Sequence, residues 1–204
     1  VNRIEKITPI AEIIESSLIS WRGQCWDWEL IPSYGSIVTV TSGSRTLFGI
    51  VHASNTGSHD QQRTVYAYKK SEEQLKKDHP HIFEFLTSTF ECLTLGYYEG
   101  AIMRYQVAPT PPKIHAFIQP ADQKQLELFF SQEQYLHTLF THEDQVLSLD
   151  DLLLALMGEL ARSHTLTQER LRRFMQTFSL LTANDYRRLK LFLQRAEPLL
   201  ALQR

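Results

Sequence analysis

Cysteine is scarce in this chain of 204 residues, with only Cys25 and Cys92. Two thiols far apart, outside any C-x-x-C pair, exclude a disulfide framework, and a reduced, buried pair is expected. Long apolar runs are missing too. None approaches the ~18 residues that a membrane-spanning helix needs, and the N-terminus lacks the basic, apolar and small-residue series of a signal peptide. The expectation is a cytoplasmic protein with no membrane partner. Charge of one sign is also lacking. A net charge of −2 points to neither a nucleic acid nor a lipid surface on average. What is present is ordinary globular material: 43% hydrophobic residues with 11 Phe and 8 Tyr, enough for one good core or two modest ones.

Catalytic motifs are equally sparse. The run Gly43-Ser44-Arg45-Thr46-Leu47-Phe48-Gly49 has two glycines but no Gly-Lys-Ser/Thr end. It can neither grip β/γ-phosphates nor hold Mg²⁺, and it reads as a hairpin turn. Asn55-Thr56-Gly57-Ser58 offers an N–H nest for an anion, against the plainer reading of a surface loop. His142-Glu143 is followed by Val146 where a zinc helix needs its second His. His79, His81, His52, His59 and His115 show no metal-ligand spacing. No G-x-S-x-G elbow occurs, and neither cysteine has a nucleophile's signature. Asp150-Asp151 at a helix start is explained by the N-terminal dipole. No catalytic residue, cofactor site or metal site is expected, and the chain reads as not an enzyme.

The first half has strand character. Ile7, Ile10, Ile13 and Ile14 form an apolar run. Leu18–Trp28 carries Trp21, Trp26 and Trp28, read as barrel core, with base stacking as the alternative. Ser36–Thr41 and Thr46–Ala53 flank a Gly-containing turn and predict a hairpin, with a bulge or bend at Gly49. Ser54–Gln62 reads as a polar loop and Arg63–Tyr68 as a short strand. Ser71-Glu72-Glu73-Gln74 fits a capping box opening a helix that breaks before Pro80. Thr89–Tyr98, Ala101–Val107 and Ile114–Ile118 complete the strands.

From Asp122 the apolar period changes from two to about 3.6. Four helices are expected: Gln123–Phe140; one capped by Ser148; one opened by Thr167; and one capped at Thr182 and Asp185 and ended by Pro198. The fold class is therefore α+β. A small β-barrel with an inserted helix occupies 1–120, and a four-helix domain occupies 121–204. Charge is segregated along the chain: residues 1–120 carry net −1, 121–160 carry −7 and 161–204 carry +6. The favoured reading pairs acidic and basic helices within the domain. The alternative is a helix-turn-helix in which Arg170, Arg172, Arg173, Arg187, Arg188 and Lys190 face nucleic-acid phosphates.

One series of short segments runs from Ile10-Ala11-Glu12-Ile13-Ile14-Glu15-Ser16-Ser17 through Pro32-Ser33-Tyr34-Gly35-Ser36-Ile37-Val38 and Phe48-Gly49-Ile50-Val51. It continues with Arg63, Ala67, Glu72-Glu73-Gln74-Leu75, Asp78-His79-Pro80, Gly96-Tyr97 and Pro111-Pro112-Lys113-Ile114-His115. In that order they resemble the HAS-barrel domain, the barrel at the N-terminus of HerA-type, FtsK-like hexameric ATPases. The resemblance spans about residues 1–120. It implies a barrel that packs beside other barrels, but no motor domain or Walker motif follows here, so ATP hydrolysis does not carry over. What it implies is an interaction or oligomerisation adaptor, partnered by itself or by a hexameric ATPase. Nucleic-acid binding through the basic helices, or a small-molecule sensor with a pocket between barrel and helices, are the alternatives. A closed barrel is expected to leave no free sheet edge, so contacts fall on side chains and loops.

Overall fold

The structure is a computed structural model and describes residues 8–58 and 66–201. Its strands are β1 (Ala11–Ser16), β2 (Ser20–Cys25), β3 (Ile37–Ser42), β4 (Arg45–Ser58), β5 (Leu86–Glu99), β6 (Ile102–Arg104) and β7 (Phe117–Pro120). They pair antiparallel in the order β2-β1-β7-β3-β4-β5-β6, and β2 also pairs with β5. Six strands thus close into a barrel, while β6 continues the sheet outside the ring and so leaves a short free edge. Helix α1 (Glu72–Asp78) is inserted between β4 and β5, and α2 (Gln123–Phe129), α3 (Tyr135–Thr141), α4 (Leu149–Arg162), α5 (Gln168–Leu181) and α6 (Tyr186–Ala201) follow the barrel. The α+β fold class expected from sequence is the one found.

Alternation along the strands fills the barrel. Ala11, Ile13, Trp21, Cys25, Val38, Val40, Val51, Phe90, Cys92 and Ile118 form one buried cluster. The large Trp21 ring fits because the facing wall is bare: a Cβ on Gly49 would stand 2.5 Å from Trp21 Cζ2. The register slips at Gly49 as expected for a bulge, with Leu95 of β5 as the unopposed residue. A second slip leaves His52 unopposed between Val51 and Ala53.

Part of the barrel's outer surface is equally apolar. Ile37, Phe48, Ile50, Leu93 and Leu95 join one core with Phe129, Phe130, Leu152, Leu156, Phe178 and Phe192 of the helices. Neighbouring apolar pairs such as Ile37-Val38 and Ile50-Val51 are therefore buried on both faces, one residue inside the barrel and one under helices. Phe48 stacks on Phe129 at 5.0 Å. Gly35, at φ +81°, brings its turn against α4, where a Cβ would stand 2.8 Å from the Leu156 backbone nitrogen.

The strand-to-helix switch falls where the period changes: β7 ends at Pro120, and Asp122 and Gln125 form a reciprocal capping box on α2. Ser71 and Gln74 do the same for α1, and Ser148 and Thr167 cap α4 and α5.

Several expectations are corrected. The single helix over Gln123–Phe140 is two, so five α-helices follow the barrel among the described residues, not four. Phe129 and Phe130 are both fully buried and their rings stand edge to face. Tyr105 donates its hydroxyl proton to the Phe129 carbonyl at 2.6 Å, capping the first piece. Pro198 lies inside α6 instead of ending it. The carbonyl left without an N–H partner belongs to Gln194, an exposed residue. Thr182 closes α5 by donating to the Phe178 carbonyl, and Asp185 alone caps α6 by accepting from the Arg187 and Arg188 amides. Ser54–Ser58 is not loop but the end of β4, paired with β5, so the Asn55–Ser58 nest is extended backbone. Of the strand expected at Arg63–Tyr68, residues 63–65 lie outside the described residues, as do Ile7 and His59, and Tyr66–Tyr68 is not strand. Trp26 and Trp28 are not in β2, which ends at Cys25 before a turn closed by Leu30 N–H donating to the Asp27 carbonyl.

Candidate docking surface

The six basic residues singled out from sequence divide into two groups. Arg188 reaches back to the start of α4. Its Nη2 lies 2.7 Å from Asp150 Oδ1 and 3.3 Å from Glu143 Oε1, and its Nε donates to the same Asp150 oxygen at 3.1 Å. The guanidinium also lies over Phe140 and Phe178, at 5.6 and 5.9 Å from the ring centres. Asp150 holds Arg188 more firmly in its charged form. Arg173 Nε stands 3.1 Å from Glu133 Oε1, though not aligned for a hydrogen bond. Burial raises the Glu133 carboxyl against the opposing pull of Arg173 and Arg170. Arg170 donates to the Thr165 carbonyl, and Arg195 pairs with Asp151, whose proton affinity falls as a result. Arg172, Arg187 and Lys190 are exposed and have no side-chain ion pair among the described residues. The acidic stretch and the basic stretch are thus joined across the helices by Glu133–Arg173, Asp150–Arg188 and Asp151–Arg195. Half of the proposed nucleic-acid contacts are engaged inside the protein.

The concave features are modest. A shallow groove of about 390 Å³ is bordered by Ser131, Glu133, His137, Arg173 and Thr177. Another, of about 400 Å³, runs between Leu147 and Leu191 and is rimmed by Glu143, Asp150, Asp185, Arg187 and Arg188. Both belong to the helices, and a third of about 170 Å³ lies at a barrel end beside Arg22, Glu15 and Glu91. Of the thiols, Cys25 is pushed up to about 11 by burial and by Asp27, and burial likewise pushes Cys92 well above its ordinary value. Both therefore stay protonated near neutral pH and are poor nucleophiles. Among the described residues no group of three or more His, Cys, Asp and Glu is gathered as a metal site, and no helix is long and apolar enough to cross a membrane.

A different surface carries exposed apolar area. The helices cover β3, β4 and β5, but nothing among the described residues covers the outward face of β2, β1 and β7. There Trp26 and Phe117 meet edge to face at 5.1 Å, and they are 54% and 56% exposed. Ile14 is exposed as well, at the position left unopposed where β1 slips against β2. Register places them: Ala11 faces Ile118 and Glu12 faces Phe117 across β1 and β7, Trp26 N–H donates to the Ile10 carbonyl, and His115 N–H to the Ile13 carbonyl. Glu12, directly opposite Phe117, pairs with His115.

Sequence reading assigned Trp26 to the barrel core and gave Phe117 no role. A signal was nevertheless present. Ile13-Ile14 and Phe117-Ile118 are adjacent apolar pairs in strands, and alternation must turn one of each outward. Elsewhere in this barrel such pairs mark walls covered on both faces, yet nothing in the described chain covers this one. A comparison with protein-family models and with curated proteins finds no match for the chain.

Proposed function

We propose that this protein is a non-catalytic interaction module whose docking surface is the bare β2-β1-β7 wall of the barrel. The observation that carries the reading is the Trp26–Phe117 pair, two large aromatic side chains more than half exposed on a wall with the apolar doubling of a covered one. Aromatic anchors of this kind dominate the energetics of protein interfaces. The resemblance to HAS-barrel domains supports an oligomerisation or adaptor role, with a hexameric HerA-type ATPase as a further candidate partner. The helical layer covers the other side of the barrel and pairs Arg173, Arg188 and Arg195 internally, which favours protein docking over phosphate contact.

The test is affinity purification of the full chain from its native cell, alongside W26A/F117A. Proteins retained by the wild type and lost by the variant support the reading. A variant that retains every partner, with wild-type binding dominated by DNA and abolished by R172A/R187A/K190A, overturns it in favour of nucleic-acid binding.

A further inference from the structure

Resting on that docking reading, the charges of the wall point to the chemistry of its occupant. We propose that the wall takes a basic, apolar segment of a partner protein. A large apolar side chain of that segment lies on Trp26 and Phe117, and a lysine or arginine meets the carboxylates beside them. Register places those carboxylates. Trp21 and Cys25 of β2 line the barrel, so Arg22 and Gln24 turn outward. Trp26, whose N–H donates to the Ile10 carbonyl, continues their row. Glu12 of β1 stands between Gln24 and Phe117. Glu15 of β1 faces Arg22 from one side, and Glu91 of β5 faces it from the other.

These side chains do not balance. Arg22 serves two carboxylates, with its Nη1 3.1 Å from Glu15 Oε2 and its Nη2 2.9 Å from Glu91 Oε1. Glu12 pairs with His115, which offsets it only when protonated. Three carboxylates thus share one guanidinium, a net −2 with a neutral imidazole and −1 with a protonated one. The side chains of Glu15 and Glu91 are 68% and 44% exposed, so a cation brought by a partner reaches them. Beside them lies the recess of about 170 Å³ at the barrel end. Small-molecule sites start near about 300 Å³, so this recess matches a single side chain. Arg22 and Trp26 stand four residues apart along β2, about 13 Å. The basic and apolar groups of the occupant are that far apart or closer, since Glu12 lies directly beside Phe117. The same surplus argues against other occupants. The phosphates of a nucleic acid or an anionic membrane meet like charge on this face, as does an acidic protein. A second copy brings the same net negative charge to the contact.

The test is selection of a random dodecapeptide phage library on the immobilised full chain. Enriched peptides are then labelled and titrated by fluorescence anisotropy. Peptides that join Lys or Arg to a large apolar residue are expected. E12Q/E15Q should weaken their binding about tenfold in low salt, about threefold for each carboxylate, and the loss should shrink towards about 1 M salt. R22Q removes the guanidinium that competes for Glu15 and Glu91. It should strengthen binding about threefold, a gain that misfolding cannot mimic. Enrichment of peptides without Lys or Arg, no enrichment at all, or affinities unmoved by E12Q/E15Q and R22Q overturns the proposal. So does binding of phosphatidylserine vesicles or duplex DNA that W26A/F117A abolishes. The docking reading fails separately, when W26A/F117A binds the enriched basic peptides as the wild type does. Enriched peptides that lack Lys and Arg but still need Trp26 and Phe117 leave that reading standing and sink only the choice of partner.

Discussion

Replacing Arg188 by methionine tests whether the opposed charges of the helical region act as internal fasteners. Methionine keeps most of the apolar stem and deletes the guanidinium. Asp150 then loses the partner that approaches to 2.7 Å, and Phe140 and Phe178 lose the cation over their rings. Breaking a fully buried pair costs about 3–5 kcal/mol. Here the side chains of Arg188 and Asp150 are 29% and 26% exposed, so water repays part of that loss. A cost of about 2–3 kcal/mol follows. For a chain of this length each kcal/mol lowers the melting temperature by roughly 2–4 °C, so a fall of about 4–12 °C is expected. Denaturant titration and thermal melting followed by circular dichroism measure it. D150N alone should also destabilise. R188M/D150N should recover part of the loss, because the half-buried Asp150 carboxylate is then no longer left unpaired, giving a coupling of at least about 1 kcal/mol in the double-mutant cycle. R172M, at an exposed position without an ion pair, should change stability by no more than about 0.5 kcal/mol. Equal effects at 188 and 172, or a coupling near zero, would refute the assignment of these charges to internal pairing.

Two further outcomes follow from buried positions. Gly35→Ala places a side chain at φ +81° and 2.8 Å from the backbone of α4, so a loss of at least about 2 kcal/mol is expected in denaturant titration. Gly43→Ala, also at positive φ but with nothing within 4 Å, should cost only the conformational part, about 1–2 kcal/mol, and an equal loss at both sites would show that the approach to α4 is not tight. His52 is buried, and that burial lowers its proton affinity below the ordinary value of 6.5, with Glu91 opposing in part. The unfolded chain therefore takes up this proton first. The His52 contribution to stability is complete above about pH 6.5 and is lost as pH falls below it towards the depressed folded value. H52Q should flatten the melting temperature between pH 7 and pH 5.5, and an unchanged slope would show that His52 is not the group responsible.

Periodicity, caps and turns determined much of this protein by themselves. The β3–β4 hairpin, the slip at Gly49, the α1 capping box and the change from strands to helices near Pro120 depend on residues close in sequence, so a local reading finds them. The pairing of acidic with basic helices was legible as a net-charge pattern, but the partners were not. Asp150 meets Arg188 because α4 packs against α6, a contact between residues 38 apart. The break at Phe130 needed the third dimension as well. Phe129 is claimed by Phe48 and Tyr105 from the barrel, and Phe130 packs on Tyr135. The docking wall shows the same division. Strand alternation already required Ile14 and Phe117 to face away from the residues lining the barrel. Whether that outer face was covered depended on where the chain sent its helices. They went to β3, β4 and β5, where Phe48, Ile50, Leu93 and Leu95 offered a continuous apolar surface, and left β2, β1 and β7 uncovered by any described residue.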